Sequence, residues 1–589
     1  MFLRDSRHRR ASGEQVTYLQ FAESVWSAEK GRCETRIVYN FGRSDDAAVR
    51  EQLRKLARSI LRRVSPEELE QAGPGCSVVD CWPMGDLWVI EQLWNKLGLT
   101  ELLPKLVRDN TRLTLPVERA CFTMVANRCC APCSKLYCFE QWVREDVRID
   151  GTTGLELHHL YRAMDFFEKN KEAIEKELFF RTADLFSCDV ELVFYDTTTL
   201  HCEIDEEDME GRENAHMKGS VLSGGKTYEA LRQRGKAKNK RSDVPQVVVG
   251  MAMTRDGLPI RSWVFRGDTV DVKTVSKVKE DLRGWKLSRS IFVGDAGMVS
   301  AANLSALAKG GGKYIVCMPM RRGDEVTELV LGCTGPYTKL AENLQIKEAV
   351  VGDGERRRRY VICFNPAEAD RQQQHRKQVL VELQEELGHL RPGDCGGHSK
   401  RICELRASER YGKYLLIKDG RPTVNWEKVK HEERIDGKFV VHSNDDTLKS
   451  EDLALGYKQQ ASIERAWRLL KTGLRIRPIF HWAPHRICAH VSLTMISLLL
   501  ERIAERACGD TWRNIRDDLR QIKLVQLSTP NGTVWQTTEP ASAAQNRLKQ
   551  LGIPSPPAIL KVDPAPTHTP DSANLGNPAS AKENPPECE

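Results

Sequence analysis

Four residues at helix spacing carry the most chemical information in this chain: Tyr457, Gln460, Glu464 and Lys471, within Tyr-Lys-Gln-Gln-Ala-Ser-Ile-Glu-Arg-Ala-Trp-Arg-Leu-Leu-Lys. At 3.6 residues per turn, steps of 3, 4 and 7 keep all four on one stripe, so one helix face is expected to present an aromatic, an amide, a carboxylate and an ammonium. Ile463, Trp467 and Leu470 form a separate apolar stripe that would face the core. Upstream, two aspartates each close an apolar, strand-like run: Asp196 in Glu-Leu-Val-Phe-Tyr-Asp-Thr-Thr-Thr-Leu and Asp295 in Ile-Phe-Val-Gly-Asp-Ala-Gly. If those strands are neighbours, Asp196, Asp295 and Glu464 converge. Two unit charges about 4 Å apart repel by roughly 1 to 4 kcal/mol between water-like and surface-like dielectric, so such a cluster calls for a cation. Oxygen ligands without thiolate or imidazole favour Mg²⁺ or Mn²⁺. Two such ions activate a water or hydroxyl and stabilise the leaving oxygen of an in-line displacement at phosphorus.

The elements that must position these residues are legible in outline. Strand-like runs at 190–195, 247–253, 260–265, 290–293 and 313–318, with helical stretches at 270–283 and 301–309, predict an α/β fold: a mixed sheet flanked by helices. From about Asp45 to Phe186 the apolar spacing is helical, and Val16–Trp26 and Glu34–Phe41 predict a small N-terminal hairpin. Between Pro319 and Asn444 the rhythm breaks, as an insertion would break it. The motif helix should close at Gly473. Arg486–Arg506 reads as a long apolar helix, and its most apolar stretch, Val491–Leu500, ten residues with three hydroxyls, reads as core and is too short to span a bilayer. The last segment, from Pro554, holds nine of the 26 prolines and is expected to be disordered. The resulting division is 1–65 hairpin and helix module, 66–186 helical domain, 187–318 first part of the core, 319–444 insertion, 445–510 second part of the core, 511–553 extension, and 554–589 tail.

At 589 residues several domains are expected, and a net charge of +7 with locally clustered basic residues suits a polyanionic partner, nucleic acid first. Residues 212–241 carry nine basic against two acidic residues with four glycines, and Lys240 and Arg241 lead straight into the next strand; a DNA backbone would suit this loop. The 18 cysteines are scattered and Met1–Arg10 lacks an apolar signal region, which reads as a reducing cytosol. Cys129, Cys130, Cys133 and Cys138 lack a second pair at zinc-finger spacing and read as thiols at one helix start. Asp268 and Asp271 rival Asp295, and read as caps of the following helix. His481 and His490 read as structural hydrogen-bonders, and Arg356–Arg359 as a solvated face.

Taken in order, the three motifs resemble those of the DDE transposases of bacterial insertion sequences, in the insertion-sequence-four group. Tyr-x2-Gln-x3-Glu-x6-Lys is similar to that family's Tyr-x2-Arg-x3-Glu-x6-Lys, with Gln460 standing where the family has arginine. The resemblance implies an RNase H-like catalytic core interrupted by an insertion, metals held by Asp196, Asp295 and Glu464, and DNA contacts from Tyr457, Lys471 and Gln460, the last without charge or bidentate fork. It implies cleavage at terminal inverted repeats, strand transfer by the freed 3′-hydroxyls, a dimer on DNA, a nucleoid-associated location and end reading by the N-terminal parts. Two other classes compete: a non-catalytic DNA-binding derivative, and a host metal-dependent nuclease.

Overall fold

The computed structural model describes all residues except 11–14, 62, 64–75, 111–112, 186–190, 209–220, 223–225, 228, 237, 239–240, 286–289, 321–324, 355–356, 392–398, 419 and 565–589. The chain divides into two compact units, Met1–Cys81 with Val525–Gln536 and Ile559–Glu589, and Trp82–Leu524 with Thr537–Ala558.

The larger unit is built on a nine-stranded mixed sheet. Its spatial order is Thr338–Ala341, Leu344–Val351, Arg358–Phe364, Lys438–Ser443, Tyr314–Cys317, Ile291–Gly294, Leu192–His201, Gln246–Thr254 and Pro259–Arg266. Ile291–Gly294 pairs in parallel with both its neighbours, and the other ladders of the sheet are antiparallel. All five expected strands are present, as are the helices Asp271–Arg283 and Ala301–Ala308. Gln246–Thr254 is buried at every position, as an apolar run covered on both faces should be. Gly257, at φ +80°, makes the turn into the next strand, a conformation that costs glycine nothing. One face packs beneath Ile463, Ala466, Trp467, Leu470 and the long helix Pro484–Cys508; the other, through Val193, Tyr195 and Phe292, packs on Val275, Val278 and Leu307.

Three differences from the sequence expectation have physical causes. The stretch between Pro319 and Asn444 is not wholly outside the sheet, because it contributes four of the nine strands alongside its own small hairpin, Leu415–Lys418 with Arg421–Val424. The Cys129–Cys138 run is a helix end followed by a helix start: Val117–Cys130 stops before Pro132, and Ser134 caps a new turn. The tail begins in order, with Ile559–Pro564 pairing against Gly532–Thr537, and residues 565–589 lie outside the described ones. The long apolar helix expected over 486–506 is present as Pro484–Cys508. By length and composition it could cross a membrane, but 89% of its apolar window is buried inside the fold.

The smaller unit holds a three-stranded antiparallel sheet, Phe2–Arg9, Gln15–Ser27 and Arg32–Arg43, followed by helix Ala47–Leu61. The expected hairpin is its second and third strands. The first strand, with five charged or histidine positions among eight residues, lacks the apolar alternation that marks strands in sequence.

Candidate functional site: an acidic crevice at parallel strand ends

The two aspartates meet for a reason set by sheet register. The ladder pairs Ile291 with Leu192, Phe292 with Val193 and Val293 with Phe194. The offset is 99 residues (291 − 192), and Asp196 and Asp295 share it (295 − 196). Strand Ile291–Gly294 stops one residue before Asp295, whereas the neighbouring strand runs on through Asp196 to His201, so Asp196 lies mid-strand and not at a strand end. The carboxylates therefore flank the crevice beyond the end of the shorter strand, where open α/β sheets place ligands. On the opposite sheet face, Gly250 of the adjacent strand leaves room for the Tyr195 ring: a Cβ there would sit 2.5 Å from its hydroxyl.

Asp196 is half-buried, and its carboxyl is pushed up to about 6. Burial is the largest cause; Asp295 and Asp271 push the same way, opposed by Lys238 and the Thr197 backbone amide. Asp271 is the residue that sequence reasoning misplaced. It is not a cap: the N-cap of its helix is Val270, without a side-chain cap bond, and Asp268 pairs with Arg266. Asp271 instead accepts from the Thr197 hydroxyl at 2.5 Å and pairs with Lys238 at 3.1 Å. The Lys238 ammonium also donates to the Thr197 carbonyl and hydroxyl at 2.8 and 2.9 Å. The spacing of Asp271 from a run of threonines 74 residues away left no local signal.

The four-residue stripe is not one helix. Ser450–Lys458 ends, Gln459 and Gln460 form a turn, and Ala461–Thr472 begins. Bonds of Gln460 to Tyr457, Ser462 to Gln459 and Ile463 to Gln460 span three residues, so the chain tightens here and the stripe is rotated out of line. Tyr457 still reaches the crevice, donating to Asp295 Oδ1 at 3.0 Å. Lys471 donates to the Thr198 hydroxyl at 2.5 Å, and its ammonium is held below the usual lysine value by burial first, with Arg477 and Lys238 adding to it. Thr198 and Asp196 alternate to the same sheet face, so Lys471 lies on the Asp196 side. Glu464 is exposed, and Gln460 is buried with its Oε1 unpartnered. Gly473 does close the second helix, in right-handed rather than left-handed geometry.

Among the described residues, no three His, Cys, Asp or Glu side chains form a group placed to hold a metal ion. The two aspartates fit a cation, since a carboxyl raised by burial and by neighbouring carboxylates is what positive charge would relieve. Glu464 is not gathered with them.

Of the basic loop, Arg241 is engaged by Asp243 at 2.9 Å and Glu203 at 3.7 Å, and Lys240 lies outside the described residues. Arg232 is buried against Asp208 as a structural ion pair, not a free surface charge. Arg359 is likewise buried on Glu348, while Arg357 is half-exposed and paired to Asp446. His490 hydrogen-bonds the Ile476 carbonyl, as a structural histidine should. Beside Asp295 lies a cavity of about 450 Å³ lined by Ala296, Gly297, Cys317, Met318, Lys438 and Phe439, the last packed on the Tyr457 ring.

A mixed sheet with two carboxylates brought together beyond a parallel strand end defines an α/β protein with an acidic, cation-seeking crevice. A family model described as "Transposase DDE domain" matches residues 196–500, a span that opens on Asp196 and covers just over half of the chain. The chain belongs to this DDE transposase family, whose members act in DNA transposition. No curated protein matches it. Among solved structures, a cryo-EM structure of a piggyBac transposase synaptic complex with hairpin DNA aligns at a TM-score of 0.31 and 8% identity, over 74% of this chain and 79% of that one. That likeness is too slight to bear on fold or chemistry.

Proposed function

We propose that this protein is a metal-dependent transposase of a bacterial insertion sequence, in the insertion-sequence-four group, that cleaves DNA at terminal inverted repeats and joins the freed 3′-hydroxyls to target DNA. The observation that carries the reading is the shared 99-residue offset that puts Asp196 beside Asp295 inside the matched family span. The core is read as RNase H-like, with the 319–444 stretch as its insertion and the 1–65 and 66–186 segments as end-reading parts. Asp196 and Asp295 would hold Mg²⁺ or Mn²⁺, with Glu464, exposed on the facing helix, as the third ligand of the reading. Two bound ions would supply Lewis acidity and an activated oxygen nucleophile. Tyr457 orients Asp295, Lys471 and Lys238 offset charge along the threonine run, and Arg241, with Lys240, is read as a backbone contact that exchanges Asp243 for phosphate. Gln460, buried, reaches no phosphate without a change in the turn that holds it. A dimer on paired DNA ends and a nucleoid-associated place in the cytoplasm complete the proposal.

The test is cleavage of linear DNA bearing the gene's own flanking ends, with Mg²⁺ or EDTA, by wild type, Asp196→Asn and Glu464→Ala. Metal-dependent nicking at the ends, lost in both variants while end binding persists, is the expected result. Binding without cutting under any divalent metal would instead favour a DNA-binding derivative, the reading to which the ungathered Glu464 lends weight. Cutting by Glu464→Ala at the wild-type rate would remove that residue from the ligand set.

A further inference from the structure

Cys133 and Cys138 occupy a helix-start geometry that brings their side chains together. Ser134 is the N-cap, its hydroxyl accepting from the Tyr137 amide at 3.1 Å, so Cys133 is the residue before the cap and Cys138 the fourth helical residue. Those two positions are the ones that a hydrophobic staple joins across the first turn. Here both are thiols, so the first turn sets the two sulfurs on the same side of the helix start. Cys133 is half-buried, with its sulfur 3.3 Å from Asn127 Oδ1, whereas Cys138 is buried. Two basic side chains stand close by, and burial pushes the ammonium of one of them, Lys135, down to about 7. Lys135 is buried, and Arg128, also buried, donates to the Leu474 and Arg475 carbonyls. The Cys133 thiol is held below its ordinary value by the neighbouring Cys138 thiol, against burial, with Asn127, Arg128 and Lys135 adding to the lowering. Burial first, and nearby carboxylates after it, push the Cys121, Cys129 and Cys130 thiols up, so they lack this activation.

We propose that Cys133 and Cys138 form an oxidisable pair, a modification site that hydroperoxides convert to a disulfide and dithiols restore. The Cys133 thiolate attacks a peroxide oxygen and breaks the O–O bond; the departing oxygen takes a proton, and Cys133 becomes a sulfenic acid. The Cys138 sulfur then attacks the sulfenic sulfur, forming S–S and breaking S–O, and water leaves with the Cys138 proton. With hydrogen peroxide, two thiols and one peroxide give one disulfide and two waters. The cross-link closes the turn that follows Arg128, the residue that grips the segment after Lys471.

The full-length protein, folded, is treated with graded hydrogen peroxide, alkylated, and digested with trypsin without reductant. Cleavage after Lys135 puts the two cysteines on separate peptides, 129–135 and 136–144. The expected product is these peptides joined by a bond that fragmentation assigns to Cys133 and that dithiothreitol removes, rising to the major form. In Cys138→Ser, a sulfenic acid trapped by dimedone should accumulate at Cys133. The proposal is overturned if both peptides return fully alkylated at peroxide levels that oxidise the exposed Cys33, or if the bond maps to Cys129 or Cys130.

Discussion

At the scale of single residues, Asp196 stores an electrostatic cost that the site's chemistry would relieve. Its carboxyl titrates at about 6 when folded and near 4 unfolded, so at low pH both states are protonated and nothing is lost. As pH rises through that window the unfolded chain ionises first, and stability falls by about 3 kcal/mol once the folded carboxyl has also ionised. Asp196→Asn is therefore expected to raise the Tm by a few degrees at about pH 8 and to leave it nearly unchanged at about pH 4; thermal melts at both values check it, and a lower Tm at the higher pH would refute the burial argument. Mg²⁺ should stabilise wild type at the higher pH and not the variant, by mass action on the folded state. Tyr457→Phe removes the 3.0 Å bond to Asp295 together with the hydroxyl's interaction with Cys317. Losing that bond should cost about 1 kcal/mol or less in stability, and end cleavage should fall tenfold or more, so a parallel drop in Tm and activity would mean that the hydroxyl matters only structurally.

Between residue and fold stands the turn at Gln459 and Gln460, which separates what the sequence reads as one helix. Gln460 is buried with an unpartnered Oε1, so Gln460→Met should hold or raise the Tm, whereas Gln460→Arg buries a charge without a counter-ion and should cost about 1 to 3 kcal/mol. Urea melts of the two variants check it: an arginine variant as stable as wild type would mean that the turn opens readily to solvent. The five strands and two flanking helices of the core were legible because apolar runs bounded by glycine and charge have few alternatives. Asp196 and Asp295 were legible for the same reason, each lying on or just past such a run. The Gln459–Gln460 break was not, since it contains neither proline nor glycine and arises where two packed stripes meet different parts of the sheet. Asp271 was not either, because Thr197 and Lys238, its partners, are brought to it by tertiary structure alone. The sequence likewise could not tell that Arg232 and Arg359 are spent on buried carboxylate pairs, since a basic run reads the same whether its charges face water or glutamate.

For the larger unit as a whole, helix Pro484–Cys508 decides whether its two interiors act together. Ala489, Leu493, Ile496 and Leu500 belong to the all-helical core around Trp94, Phe122 and Phe167, while Ile487, Val491, Met495 and Leu498 belong to the sheet core beneath Asp196. Opposite faces of one helix are thus shared between cores, which is why its apolar residues surround it and why it passes a length and composition test for a membrane span. A rigid helix cannot loosen on one face alone. Leu500→Ala and Leu498→Ala, each at a fully buried site, should each cost about 2 to 5 kcal/mol through lost burial and a residual cavity. If the helix couples the cores, both substitutions lower the same unfolding transition. Hydrogen exchange would then quicken in the Asp196 strand and in helix Val117–Cys130 together, whichever leucine is cut. Exchange that quickens only in the mutated core would separate the two interiors into independent folding units. The crevice carboxylates would then be held by the sheet core alone, without support from the helical one.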